Sequence, residues 1–397
     1  MQYDFDTPVN RRGTDSVKWD VAANELPMWV ADMDFHTAPA IIDAMNRRTA
    51  HGVFGYGDVT ADWYDAYIGW WKRRHGFAME KEWLIFCTGV IPAISSTVRK
   101  LTTPNENVVL LTPIYNIFFN SIVNNGCRAL ECPLRYTEGV YEIDFVDLET
   151  KLSDPQTTLM IFCNPHNPVG KIWDRTTLCE VGRLCRKHHV TVISDEIHCD
   201  ITSPGSAYTP FAAASEDCRA VSITCIAPTK TFNLAGMQTA AVCVPDPVLR
   251  HKVWRALNTD EVAEPNSFAV PVTVAAFTQG ADWLDALCSY LFENRRIAED
   301  FIAREVPVLH TVHGEATYLL WIDARALTAD SRAFADFIRR ETGLYLSAGG
   351  SYGRAGQGFL RMNLACPRDR LADGLQRLKQ AADAFSAIAV NAETRVE

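Results

Sequence analysis

The sequence predicts an α/β protein whose larger part is a mostly parallel β-sheet covered by helices on both faces, followed by a smaller α+β domain. Three observations predict it. At 397 residues the chain exceeds the size at which a single hydrophobic core usually stops growing, so one large and one small domain are expected. Short apolar runs rich in β-branched residues recur up to Val244, with helical patterns such as Arg175 to His188 between several of them. Strands that alternate with helices in this way form parallel sheets buried on both faces. From about Trp283 the pattern changes to long helical stretches separated by two strand-like runs, which suits an α+β arrangement.

Taken in order, the first forty or so residues carry little periodicity but include the apolar run Leu26-Pro-Met-Trp-Val-Ala-Asp-Met-Asp-Phe35, an arm expected to pack on another surface. Cys87-Thr-Gly-Val-Ile-Pro-Ala-Ile-Ser95 reads as a loop opening a helix. The runs Asn107–Leu111, Thr158–Phe162, Val190–Ser194, Ala220–Thr224 and Ala240–Val244 read as buried strands. The last third predicts a helix from about Trp283 to Ala303, a strand Tyr318–Ile322, a helix Ser331–Glu341, a strand Gly358–Asn363 and a final helix. The resulting division is an arm over 1–45 that belongs with the small domain, a large domain over 46–282 and a small domain over 283–397.

Composition excludes several classes. Apolar residues make up 48 % and charged residues 22 %, ordinary soluble usage, and no apolar run approaches the about 20 residues needed to span a bilayer. The N-terminus, Met-Gln-Tyr-Asp-Phe-Asp, has neither a basic nor an apolar leader region, so a cytoplasmic protein is expected. Twelve cysteines without paired spacing read as buried thiols of a reducing compartment, and no metal site is expected. A formal charge of -10 without a long basic block argues against nucleic-acid binding. There is no internal repeat or low-complexity linker.

The chemistry concentrates in Ile223-Thr-Cys-Ile-Ala-Pro-Thr-Lys230-Thr-Phe-Asn-Leu-Ala-Gly236, which sets one lysine among small, apolar and hydroxyl residues. Desolvation lowers a lysine pKa and makes its amine a nucleophile for carbonyls; a solvent-facing loop lysine is the bland alternative. Asp195 follows the strand Val190–Ser194, at the C-terminal rim where open α/β sheets bind ligands, and Lys230 follows a later strand at the same rim. Taken alone, Asp195 is as well read as a helix cap. Together the two suit pyridoxal phosphate, whose carbonyl takes a lysine and whose ring nitrogen needs a carboxylate to stay protonated.

Asn164-Pro-His-Asn-Pro-Val-Gly170 is dense in turn formers, and Asn167 within it can present its amide to a ring oxygen from that rim. The helix opening after Gly89 offers free N–H groups to a phosphate, although a lone glycine is a weak signal and no Walker or GxGxxG motif is present. Tyr115 can stack on a planar ring or simply fill the core. Arg361, inside an apolar strand, forks onto a substrate carboxylate or forms an internal salt bridge. His188-His189 and Trp70-Trp71 have no spacing that suggests chemistry.

Asn-Pro-His-Asn-Pro-Val-Gly-Lys171, Ser194-Asp-Glu-Ile-His-Cys-Asp200 and Thr229-Lys-Thr-Phe-Asn-Leu-Ala-Gly236 resemble, in order and spacing, the fold-type-I pyridoxal-phosphate enzymes. More narrowly the chain resembles the MalY/PatB group of cystathionine β-lyases. Met28-Trp-Val-Ala-Asp-Met-Asp-Phe35, Gly52-Val-Phe-Gly-Tyr56, Trp283-Leu-Asp-Ala-Leu287, Thr317-Tyr-Leu-Leu-Trp321 and Gly358-Phe-Leu-Arg-Met-Asn363 extend the match over nearly the whole chain. The resemblance implies a mostly parallel seven-stranded sheet in the large domain. It implies that Lys230 bonds the cofactor, that Asp195 pairs with the ring nitrogen, and that Asn167 and His198 belong to the cofactor site. Tyr115 then stacks on the ring, and Gly89, Val90, Ile91 and Thr229 hold the phosphate. Tyr56 reaches the phosphate from the second subunit of a homodimer, Arg361 binds the substrate α-carboxylate, and Ala31 and Asp32 line the substrate pocket.

Departures sharpen the match. Ala227 stands where relatives commonly carry a serine, and Asn105-Glu106 replaces a more usual Gly-Asp. Gln238 stands where aspartate-type aminotransferases have a phosphate-binding arginine, which favours the lyases. The implied reaction is α,β-elimination from an S-substituted cysteine: Lys230 takes the α-proton and the β-sulfur group leaves, giving a thiol (homocysteine from cystathionine), pyruvate and ammonia. Tyr115 or Tyr56 assists as acid or base. Transamination shares the early steps and stays open, as does a regulatory binding protein built on the same fold.

Overall fold

The computed structural model describes residues 3–393. Its central element is a seven-stranded sheet in the order Leu84–Cys87, Ala240–Cys243, Ser222–Ile226, Thr191–Asp195, Thr157–Cys163, Asn107–Thr112, Arg128–Pro133. Ala240–Cys243 runs antiparallel to both neighbours, and every other pairing is parallel. Helices on both faces explain the unbroken apolar runs: Val108, Val109, Leu110 and Leu111 are all fully buried, as a strand covered on both sides requires. Asp174 caps the helix Arg175–Lys187 by accepting from the Thr177 N–H at 2.8 Å. Leu178, Val181, Leu184 and Cys185 on that helix turn one apolar stripe to the sheet.

Within this sheet the structure moves one expected strand and adds two to those read as apolar runs. Ala220 and Val221 end a short helix, Glu216–Val221, which the Ser215 hydroxyl caps at its start by accepting from the Cys218 N–H; the strand therefore starts at Ser222. Leu84–Cys87 is only four residues long, too short to show periodicity. Arg128–Pro133 lies at the sheet edge and is only partly buried, so its sequence lacks the apolar run of a central strand.

The C-terminal part holds a four-stranded antiparallel sheet, His310–Thr311, Leu319–Asp323, Phe359–Asn363 and Ser347–Ala348. The helices Ala281–Glu305, Ser331–Thr342 and Arg368–Glu393 accompany it. The N-terminal arm joins this part: Leu26–Pro27 pairs in parallel with Leu344–Tyr345, and Trp19, Leu26 and Met28 share an apolar cluster with Leu320, Ile338 and Leu375. Position 45 falls inside the helix Pro39–His51, whose Ile41 and Ala44 share an apolar cluster with Trp63 and Trp70.

Eleven of the twelve cysteines are buried, Cys179 is half-buried, and none is paired in a disulfide. Among the described residues no helix is long and apolar enough to cross a membrane.

Candidate active site

Parallel register brings the C-terminal ends of three strands together, with Cys163, Asp195 and Cys225 as cross-strand neighbours. Asp195 closes its strand, and its Oδ1 accepts from the Ile197 N–H at 3.1 Å. From Ile226 the chain turns through Ala227 into the short helical segment Pro228–Thr231. The Thr231 hydroxyl, donating to Asp200 at 3.0 Å, and the Leu234 N–H, donating to the Thr229 carbonyl at 2.8 Å, hold this turn. Lys230 thereby points at the arm, and its Nζ donates to the Ala31 carbonyl.

The arm itself is clamped. Asn363 Nδ2 donates to the Val30 and Asp32 carbonyls, both at 2.6 Å, Asn233 holds both polar backbone groups of Met33, and the Tyr318 hydroxyl donates to the Ala31 carbonyl at 3.0 Å. Gly170 does the same for the turn that presents Asn167. It sits in the left-handed region at φ +74°, and a Cβ there would lie 2.8 Å from the Ala316 carbonyl, so only glycine lets the turn close on the 314–316 loop.

Burial sets the electrostatics. It pulls the Lys230 amine down to about 8, helped by Arg361 and opposed by Asp32 and Asp195, so the neutral amine is far more populated at physiological pH than in an ordinary lysine. Burial pushes Asp195 up to about 7 against the Ile197 N–H and Lys230. It pulls His198 down to about 3, with Lys230 and Arg361 acting in the same direction; His198 is therefore neutral, and its Nδ1 is buried without a partner.

Arg361 is buried in the middle of its strand, between Trp321 and Ser347. Its guanidinium donates to Asn167 Oδ1 at 3.1 Å and to the Trp29 carbonyl at 2.9 Å, and lies 4.8 Å from the Tyr352 ring centroid. Among the described residues it has no carboxylate partner and its Nε has no partner at all, which excludes the internal salt bridge. A buried cation without a counter-charge is costly; an arriving carboxylate removes that cost and fits the bidentate fork.

Two adjoining cavities meet at Lys230. One, of 290 Å³, is lined by Gly89, Val90, Ile91, Asn167, Asp195, His198 and Thr229. The other, of 370 Å³, reaches Arg361 and opens between the arm and the small domain. Ala31, Tyr115 and Lys230 line both.

The inner cavity fits pyridoxal phosphate by the chemistry of its walls. The helix Val90–Leu101 opens at Gly89 with the unbonded N–H groups of its first turn, a phosphate site. Among the described residues the buried carboxylate of Asp195 forms no ion pair, and it suits a protonated ring nitrogen. The orphaned His198 nitrogen and the Asn167 amide suit polar ring substituents, and the depressed Lys230 amine suits the carbonyl.

Of the residues expected at the site, all those assigned to the cofactor except Tyr56 line the inner cavity. Tyr56 is fully exposed in a segment without regular structure and lines neither cavity. Asp32 lines neither cavity, because Arg11, at 2.6 Å, and Lys18, at 3.5 Å, hold its carboxylate; Ala31 alone of the pair faces the site. Sequence reasoning missed Asn233, Tyr318 and Asn363, which hold the arm over Lys230. Their signal was present as polar side chains inside otherwise apolar motif segments.

The family model for aminotransferase class I and II matches residues 23–378. Cystathionine beta-lyase PatB of Bacillus subtilis is 42 % identical, covering 95 % of this chain and 99 % of PatB. Protein MalY of Escherichia coli is 33 % identical over 95 % of this chain and 98 % of its own length. Among solved structures, cystalysin from Treponema denticola, which contains a pyridoxal 5'-phosphate cofactor, superposes with a TM-score of 0.94 at 32 % identity, covering 97 % of this chain and all of cystalysin.

Proposed function

The chain belongs to the class I and II aminotransferase family, in the group that holds PatB and MalY, and from that premise we propose that it is a pyridoxal-phosphate-dependent carbon–sulfur lyase. Its fold is that of the fold-type-I enzymes of this cofactor. The substrate is L-cystathionine or a related S-substituted cysteine, and the products are a thiol, pyruvate and ammonia. The observation that carries the reading is the buried Arg361 without a counter-ion beside the depressed amine of Lys230: an amino acid bound by its carboxylate presents its α-carbon to a neutral base.

Bound pyridoxal phosphate supplies the electron sink that makes the α-proton removable and the β-sulfur expellable. The protein does the rest. Arg361 and Asn167 fix the α-carboxylate, and Lys230 accepts the α-proton. Asp195 would hold the cofactor's positive ring charge, and the first turn of Val90–Leu101 and Thr229 would hold its phosphate. Tyr115, lining both cavities with its hydroxyl pKa raised by burial, stays protonated and would donate to the leaving sulfur.

Replacing Arg361 by lysine should raise KM for cystathionine by about tenfold or more, because a point charge cannot reproduce the fork, with a smaller change in kcat. Steady-state pyruvate assays separate the two.

We further infer a homodimer in the cytoplasm. Tyr56 stands exposed beside the exposed Val53 and Phe54, an apolar segment suited to a second copy whose phosphate site Tyr56 would complete, and the twelve unpaired thiols suit a reducing compartment. We take the arm to end before Pro39 and the small domain to begin with Ala281–Glu305. Transamination is the rival activity. Incubation with cystathionine should release thiol and pyruvate without any added keto acid; turnover that requires a keto acid and releases no thiol would contradict the lyase.

A further inference from the structure

The helical segment Pro228–Thr231 that carries Lys230 has four residues, too few to hold a helical turn unaided, and the lysine side chain is a long lever on it. The buried Thr231 hydroxyl anchors the segment by donating to Asp200 Oδ2 at 3.0 Å. Among the described residues this is the one hydrogen bond between the loop 196–201 and the segment 227–234.

Asp200 is held in turn from the other side. Its side chain is fully buried, and its Oδ1 accepts from the Trp70 indole N–H at 2.9 Å, meets His75 Nε2 at 2.9 Å and lies 4.0 Å from Arg74 Nε. All three belong to the helix Ala61–His75. Burial pushes the Asp200 carboxyl up, but His75, Arg74 and Trp70 outweigh it and hold the group below its ordinary value, so it is ionised. Asp200 also closes the loop that begins at Asp195. Within that loop the Cys199 N–H donates to the Glu196 carbonyl and the Ile201 N–H to the His198 carbonyl, both at 3.0 Å. One loop therefore carries Asp195 at its start and grips the Lys230 segment at its end.

We propose that Asp200 is a positioning residue for the base: acting through Thr231, it sets where the Lys230 amine stands relative to Asp195. Displacing a reacting group by about 1 Å can cost about a hundredfold in rate, which gives a side-chain tie of this kind a place in the reaction. The inference rests on the lyase reading, in which Lys230 takes the α-proton.

The test compares wild type with Thr231→Val, which keeps the shape and removes the hydroxyl, Thr231→Ser, which keeps the hydroxyl, and Asp200→Asn. Two quantities are read: steady-state pyruvate from L-cystathionine with the holoenzymes, and the rate at which pyridoxal phosphate and borohydride label Lys230 in cofactor-free protein. Thr231→Val should lower kcat by about tenfold and slow the labelling of Lys230 by a similar factor, with KM within about twofold because Arg361 is untouched. Thr231→Ser should stay within about twofold of wild type in both, and Asp200→Asn should fall with Thr231→Val. Where Asp200→Asn fails to fold, the two Thr231 variants decide. Valine and serine variants that match each other in both readouts, or a valine variant whose labelling keeps the wild-type rate, would overturn the positioning role while leaving the lyase intact. Wild type that forms no pyruvate yet labels at Lys230 would overturn the lyase reading and with it the role of Asp200 in catalysis.

Discussion

Lys230→Ala should leave a folded protein that releases pyruvate from cystathionine at least about a thousandfold more slowly than wild type, within the range lost when a positioned acid–base group is removed. No other lysine lines either cavity. The fold should survive because the amine's hydrogen bond in the structure goes to the Ala31 carbonyl, and that carbonyl keeps the Tyr318 hydroxyl at 3.0 Å. Thermal melting of the variant should therefore stay close to wild type while turnover collapses.

Asp195→Asn should be the next most damaging change, lowering kcat by about a hundredfold or more, as loss of a preorganised charge at a reacting centre does. It also has a signature in stability. Burial raises Asp195 to about 7 in the folded protein, against about 3.9 in an unfolded chain. Between those values the folded state binds more protons than the unfolded one, so stability falls as pH rises through the window. Without cofactor, wild type should thus lose melting temperature relative to Asp195→Asn as pH rises from about 4 to about 7. A protonated ring nitrogen opposite the carboxylate should cancel that loss. Melts across pH, with and without added pyridoxal phosphate, read both effects.

Much of this was legible in the sequence because the informative elements are short and local. The strand ending at Asp195, the loop carrying Lys230 and the turn around Asn167 are each encoded by a few contiguous residues, and parallel register then brings them together. Arg361 was conspicuous as a charge in an apolar strand, but its lack of a counter-ion depends on everything packed around it, and only the structure excludes an internal salt bridge. Asp32 shows the opposite case. Its place in the arm suggested the pocket, whereas Arg11 and Lys18, many residues earlier, hold its carboxylate. The clamps Asn233, Tyr318 and Asn363 were hidden for the same reason, since each acts on backbone far away in the chain.

The most direct measurement is reductive trapping of the purified protein with pyridoxal phosphate and borohydride, followed by peptide mass spectrometry. Lys230 should carry the pyridoxyl group at one per chain. Trapping into cofactor-free protein should accelerate as pH rises through about 8, where burial has brought the amine's pKa. Labelling spread over surface lysines, or a single adduct on a lysine other than Lys230, would contradict the site.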